Sequence, residues 1–207
     1  MSPTASPRNL SLVCVAAGGI LLLLALIRCA GLSHTPSRGL VALALALLFC
    51  LAAWLLFRCC RNPGLVLRAL PFLALALLLR AACLDHITAD YVTFLSDWAA
   101  FFRDNGGWAA VALAKGNYNA PYLYFIAAIS YLPLYDLSVL FDVLLAWGGF
   151  RLITALPGHG ERRTAWATAG FCLLLLLPTV VLNGSYWAQC DAIYGALCLP
   201  GLASGLT

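Results

Sequence analysis

Apolar residues in this chain come in long unbroken runs, not in the alternation of a half-buried strand. Residues 10–31, 39–57 and 64–84 form three such runs, and residues 137–156 and 165–182 form two more. Each approaches or exceeds the roughly 20 residues that carry an α-helix across about 30 Å of hydrocarbon. The pattern therefore predicts an all-α fold, a polytopic transmembrane helical bundle. A sixth stretch, residues 121–134, is shorter, rich in tyrosine and interrupted by Pro121 and Pro133. It predicts a short or re-entrant segment, not a full span. The first run is read as an uncleaved anchor: a signal-peptide apolar region is only about 7–15 residues long, and two more spans follow it.

Composition agrees with the pattern. Of 207 residues, 63% are hydrophobic and 10% charged, and the mean hydropathy is +0.93. A soluble domain is about a quarter charged, so these charges cannot cover a water-soluble surface. The net charge of +4 is spread as single arginines beside the runs. It forms no basic stripe with interleaved aromatics, which argues against a nucleic-acid partner. The nine cysteines include Cys14, Cys29, Cys50, Cys83 and Cys172 inside apolar runs and the adjacent Cys59 and Cys60 at a run's end. No CxxC or Cys/His ligand spacing occurs, so no metal and no cofactor is expected, and the cysteines read as apolar filler.

Charge asymmetry predicts the topology. Arg58, Arg61 and Arg68 flank the turn after the second run, whereas residues 85–119 carry Asp85, Asp90, Asp97 and Asp104 against Arg103 and Lys115. Basic turns mark the cytoplasmic side. Three spans from a cytoplasmic N-terminus place 85–119 outside, although Arg28 and Arg38 then fall outside too. The turn at 157–164, with Glu161, Arg162 and Arg163, belongs inside, which requires 121–134 not to cross. Residues 183–194 then return to the outer face and share it with 85–119. The chain divides into three N-terminal spans (1–84), an extracytoplasmic loop (85–119) and further membrane segments (120–207). Residues 193–199 begin a new span that Pro200 and Gly201 break, so the chain reads as incomplete at its C-terminus. Asp142 and Arg151, nine residues apart and on roughly opposite helix faces, are expected to be the charges inside spans.

Chemistry concentrates on the outer face. Tyr91, Phe94, Leu95, Trp98, Phe101 and Phe102 recur at helical spacing, predicting an interfacial amphipathic helix stopped by Asn105-Gly106-Gly107. Asp90 stands where the third span gives way to this helix. It reads equally as an N-cap or as a general base for an incoming hydroxyl. Asn117-Tyr118-Asn119-Ala120-Pro121-Tyr122 lies at a span mouth, where an aromatic belt is the plain explanation. Asn183-Gly184-Ser185-Tyr186-Trp187-Ala188-Gln189-Cys190-Asp191 places amide and carboxylate groups between two apolar runs, where polar groups are costly and usually functional. Its Asn-Gly-Ser also fits a glycosylation sequon, discounted here in favour of a site loop.

Together these three segments resemble the GT-C glycosyltransferases, membrane enzymes that use polyprenyl-phosphate sugars, and most closely the bacterial relatives of GPI mannosyltransferase II. The resemblance spans about residues 84–199. Asp90, Tyr91 and Trp98 match the family's acidic first outer loop. Tyr118, Asn119 and Pro121 match its Tyr-Asn/Pro-Pro element, with Ala120 in place of one proline. Asn183, Trp187, Gln189 and Asp191 match its Asn-x-x-x-Trp-x-Gln-x-Asp element after Leu177-Pro178. The resemblance implies a GT-C-like fold and a glycosyltransferase in the bacterial plasma membrane. Its activity would be transfer of a hexose, mannose by family, from a polyprenyl-phosphate sugar donor to a hydroxyl of a lipid or glycan acceptor on the outer side. Asp90 would be catalytic, and Tyr91, Trp98, Tyr118, Asn119, Asn183, Trp187, Gln189 and Asp191 would bind substrate. Two departures stand out: three runs precede the acidic loop where members usually have one, and members continue for several spans beyond Gln-x-Asp. The competing expectations are a truncated, inactive fragment of such an enzyme and a non-enzymatic polytopic protein or transporter component.

Overall fold

The computed structural model describes residues 7–33, 37–60, 62–113, 118–131, 134–157 and 160–206; Arg61, Lys115, Asn117 and Pro133, which entered the expectations above, lie outside the described residues. Helices α1 (Pro7–Ala30), α2 (Arg38–Cys59) and α3 (Pro63–Cys83) follow the first three runs. A π-helical stretch (Tyr91–Ser96) leads into α4 (Asp97–Asp104), and a 3₁₀ segment (Gly107–Leu113) precedes α5 (Ala120–Ile129). The remaining helices are α6 (Leu134–Ala155), α7 (Arg163–Leu176), α8 (Pro178–Val181) with a π-helical continuation (Leu182–Tyr186), and α9 (Asp191–Gly205). No strand occurs among the described residues.

Among the described residues, four helices are long and apolar enough to cross a membrane: Arg8–Ala30, Arg38–Cys59, Pro63–Cys83 and Ser138–Ala155. A fifth crossing is made if Arg163–Leu176 and Pro178–Tyr186, bent by 47° at their junction, count as one span. Helix α5, at 10 residues, reaches only about 15 Å, in keeping with the short segment expected at 121–134. Large apolar side chains lie exposed along the outer helices, including Leu12, Val13 and Ile20 on α1 and Leu43, Leu47 and Phe57 on α2. Such continuous apolar surface suits lipid and is foreign to a water-soluble globule.

Among the described residues three apolar clusters are buried, two of them between the long helices. One joins α2, α3, α6 and α7 through Leu56, Leu73, Val143, Phe150 and Phe171. The other joins α1, α2 and α3 through Ala25, Cys29, Leu45, Leu77 and Ala81, with Val139 of α6. Helix α9 lies tightly against α6. A methyl built on Gly148 would sit 2.8 Å from Cβ of Leu199 and 2.9 Å from Cδ of Pro200, so only glycine admits that approach. This contact corrects the expectation that Pro200 breaks the last segment: α9 runs through it to Gly205. The ring that costs the helix a hydrogen bond is seated on the bare backbone of Gly148.

The run 165–182, expected as one span, is likewise corrected to a broken helix. Pro178 has no N–H and α7 ends at Leu177, with ψ of 124°. Such a break strands carbonyls of the last turn. One of them, Leu175 O, accepts a 2.8 Å hydrogen bond from Nη1 of Arg80. Arg80 is fully buried and also bonds Ala76 O at 2.9 Å. Its Nε donates to Oδ2 of Asp142 at 2.9 Å, and Nη2 lies 2.8 Å from the same oxygen. The charges inside spans therefore include Arg80, and it is Arg80 that faces Asp142. Arg151 instead lies over the Trp147 ring at 5.5 Å.

Removing one partner of a buried pair leaves an uncompensated charge, at a cost of about 3–5 kcal/mol. Arg80→Leu is therefore expected to destabilise the detergent-solubilised protein by about that amount, whereas Arg80→Leu with Asp142→Leu regains most of it. Thermal unfolding of the single and double variants measures this; equal loss in both would contradict it.

Candidate functional site

Three segments far apart in sequence converge at one end of the bundle. The turn after α3 docks on the end of α1, where Asp85 accepts from Nη2 of Arg28 at 3.0 Å and from the backbone N–H of Ser33 at 2.8 Å. The Ser33 N–H foremost, with the Arg28 guanidinium and then the Ser33 hydroxyl, outweighs desolvation and holds the Asp85 carboxyl down at about 2. Arg28, which fitted the charge asymmetry poorly, is thus matched by an acidic partner. His86 then stacks on Tyr186 with ring centroids 3.6 Å apart, tying the start of the loop to the π-helical stretch after α8.

Thr88, not Asp90, caps the loop helix: its Oγ1 accepts the N–H of Tyr91 at 3.1 Å. The Asp90 side chain makes no capping hydrogen bond, so its carboxylate is not consumed by the helix terminus. The aromatic face packs inward on α5, where Trp98 and Phe102 are buried against Leu123, Ile126 and Ala127. The interfacial helix is thereby anchored to protein as well as amphipathic. Gly106 and Gly107, with φ of 91° and 63°, make the left-handed stop that the sequence anticipated.

Asp90 opens into a cavity of about 280 Å³ lined by Phe94, Leu95, Trp98, Tyr118, Tyr122 and Gln189. One carboxylate and one amide face aromatic walls there. Tyr118 sits edge-on to Trp98 at 5.4 Å and 4.8 Å from the Tyr122 ring. Burial, with the nearby Cys190 and Asp191 and then Tyr194 and Asp90, pushes its phenol pKa up, so it stays a neutral donor at physiological pH.

The rest of the Asn183–Asp191 element faces elsewhere. Asn183, Trp187 and Asp191 line a second cavity of about 490 Å³ with Asp142, Leu145, Thr179, Val180, Leu182 and Ala192. Asp90 and the Asn183–Asp191 element, expected to share one face, share that end of the bundle but not one cavity: Gln189 joins Asp90, and its neighbours join Asp142. The division follows from the backbone. Ala188 takes a left-handed φ of 53°, uncommon for a residue with a side chain. The turn closes with Gln189 N–H bonded to Asn183 O at 2.9 Å. Nδ2 of Asn183 donates to Oδ2 of Asp191 at 3.1 Å, and Asp191 opens α9, where a carboxylate suits the helix dipole. Tyr118, a wall of the Asp90 cavity, also feels the charge of Asp191.

Two expected residues line neither cavity. Tyr91 is half-buried, and burial raises its phenol pKa. Asn119 is exposed and caps α5 through its carbonyl, bonded to Tyr122 N–H at 3.0 Å. The Asn-Gly-Ser sequon is poorly placed for modification, since Gly184 and Ser185 are buried and Asn183 is bonded to Asp191. Sequence reasoning missed Arg80, although an arginine within a leucine-rich span is a signal of its own. No group of three or more His, Cys, Asp or Glu that could hold a metal occurs among the described residues.

Bundle and site together define a multi-pass helical membrane protein with a polar, aromatic-walled recess at one end. Comparison with protein-family models, with curated proteins and with solved structures gave no match.

The depressed Asp85 carboxyl fixes a pH dependence. Its folded value of about 2 lies below the ordinary 3.8, so its stabilising contribution is complete above about pH 4 and is lost as pH falls towards 2. Asp85→Asn should lower the unfolding temperature at pH 6, and the gap to wild type should narrow steadily as pH falls from 4 through 2. A gap of constant size over that range would show that Asp85 does not act through its charge.

Proposed function

We propose that the chain is a membrane glycosyltransferase of GT-C type. It would transfer a hexose, mannose by resemblance, from a polyprenyl-phosphate donor to an acceptor hydroxyl. The observation that carries this reading is the meeting of Asp90 and Gln189 in one cavity walled by Trp98, Tyr118 and Tyr122. A carboxylate takes up the acceptor's proton, an amide fixes a hydroxyl, and aromatic faces cover the apolar side of a sugar ring. In the reaction the acceptor oxygen bonds to the anomeric carbon, the bond to the lipid phosphate breaks, and the phosphate leaves with the bonding electrons. The acceptor proton passes to Asp90.

Orientation is part of the proposal. Arg58, Arg68, Arg151, Arg162 and Arg163 gather at the opposite end of the bundle from Asp85, Asp90, Asp97, Asp104 and Asp191. The basic end belongs to the cytoplasm, which turns the cavities outward, in a bacterial plasma membrane. The donor and the lipid or glycan acceptor would be met from that side.

Asp90→Asn keeps shape and hydrogen bonding but removes the base, so turnover in reconstituted vesicles should fall on the order of 100-fold or more. Asp104, exposed beyond α4's apolar pair, should tolerate Asn without loss. Full activity in Asp90→Asn would remove Asp90 from the chemistry. Independently, Asp104→Cys should react with an impermeant maleimide in intact cells. Labelling only after permeabilisation would reverse the topology.

A further inference from the structure

Arginines at the two ends of the bundle differ in their partners. Towards the Asp90 end, Arg28, Arg80 and Arg103 each pair with a carboxylate, of Asp85, Asp142 and Asp104. At the other end Arg58, Arg68, Arg151, Arg162 and Arg163 form no ion pair among the described residues. These five are brought together by packing. Cys60, Val66, Phe150 and Ala167 belong to one buried cluster. Arg58, Arg68, Arg151 and Arg163 each lie within a turn of one of them, with Arg162 beside Arg163. The Thr168 hydroxyl, 3.9 Å from Sγ of Cys60, ties α2 to α7 at the same level. Like charges so gathered repel, and the start of α7 adds to the imbalance. Arg162 is its N-cap and Arg163 follows, with no side-chain cap and no acidic residue in the first turn. That helix end favours an anion, not two cations. Nε of Arg68 and Nε of Arg163 are moreover buried without a hydrogen-bond partner among the described residues. Arg163 reaches Thr154 O at 3.4 Å and Arg151 lies over Trp147, but neither contact brings a negative charge. Glu161 precedes Arg162; its side chain lies outside the described residues, and one carboxylate cannot balance five cations.

A second feature says which anion fits. Trp54 stands four residues before Arg58, Phe72 four after Arg68, and Trp166 four after Arg162. Residues four apart share a helix face, one turn from each other. All three rings are exposed, at 55%, 50% and 59%. The order is reversed on α2, which runs the opposite way to α3 and α7. In all three pairs the ring therefore lies deeper along the span than its arginine. This is the layout of a phospholipid, with phosphate at the level of the guanidinium and an acyl chain along the ring beneath it. A soluble phosphate would meet the arginines and not the rings. Guanidinium suits the phosphate, because its fork of donors grips two oxygens at once, and the free Nε atoms belong to that fork. We propose that this end of the bundle is a binding surface for anionic phospholipid, its phosphates held by Arg58, Arg68, Arg162 and Arg163. By the orientation proposed above, that is the cytoplasmic leaflet. The surface lies at the far end of the bundle from the Asp90 cavity and does not depend on the glycosyltransferase reading.

The test places the full chain in phosphatidylcholine nanodiscs that carry a graded fraction of dibrominated phosphatidylglycerol or, separately, dibrominated phosphatidylcholine. Bromine quenches indole fluorescence on contact, and comparison with Trp54→Phe/Trp166→Phe isolates the signal of those two rings. The phosphatidylglycerol should quench them with an apparent affinity about 5-fold or more above that of the phosphatidylcholine, the factor that one arginine near an anionic headgroup contributes. Salt at about 0.5 M should shrink that preference by screening. Arg68→Gln/Arg163→Gln should bring it close to parity. Because Arg163 also holds the end of α6, Arg58→Gln/Arg162→Gln is the second variant. Both of its positions are exposed, and it too should approach parity. Arg38→Gln, at the opposite end of α2, should leave the preference unchanged. Equal quenching of the wild type by the two lipids overturns the proposal. So does a preference that survives in folded Arg58→Gln/Arg162→Gln, or one that Arg38→Gln removes equally. Inorganic phosphate that abolishes the preference at constant ionic strength overturns it in favour of a soluble anion.

Discussion

The molecule hangs on one buried ion pair. Arg80 reaches from the last turn of α3 to Asp142 in α6 and to the carbonyl of Leu175 where α7 breaks, so three helices meet at a single guanidinium. In an apolar interior a lone charge is close to prohibitive, and an unsatisfied carbonyl is costly. Each of the three groups makes the other two tolerable. Arginine suits the post because its fixed fork of donors serves a carboxylate and two carbonyls at once. The position also has a directional effect. With α3, α6 and α7 pinned near one end, the segments that follow α3 and α7 emerge side by side, and His86 can stack on Tyr186.

That convergence brings the candidate chemistry together. The loop after α3 contributes Asp90 and Trp98, the approach to α5 contributes Tyr118, and the segment after α8 contributes Gln189. None of these comes from the middle of a long apolar helix. The spans act as a scaffold, and the residues that line this cavity stand on short segments at its rim, the usual arrangement of loops on rigid elements. Asp142 is the exception, reaching the second cavity from within a span.

Much of this was legible in the sequence because the signals were local. Run length gave the spans, and spacing gave the aromatic face of residues 91–102. Two adjacent glycines gave its stop, and the shortness of 121–134 gave α5. What stayed hidden depended on contacts between distant residues. Pro200 reads as a helix breaker until Gly148 is seen to receive its ring. Residues 165–182 read as one span because a proline near a span's end marks either a kink or a boundary, and only Arg80 shows how the broken end is tolerated. Whether Asp90 caps the loop helix turned on which side chain, its own or that of Thr88, bonds the first free N–H. The split of one element into two cavities turned on a single dihedral at Ala188.

The break at Pro178 also changes what the surrounding bilayer meets. Helix α7 has 14 residues and so measures about 21 Å, well short of a hydrocarbon core of about 30 Å. The remainder of that wall is made by a continuation that leans away by 47°. Leaning at that angle, the continuation adds only about two thirds of its own length to the thickness of the wall, and the two pieces together just reach the width of the hydrocarbon core.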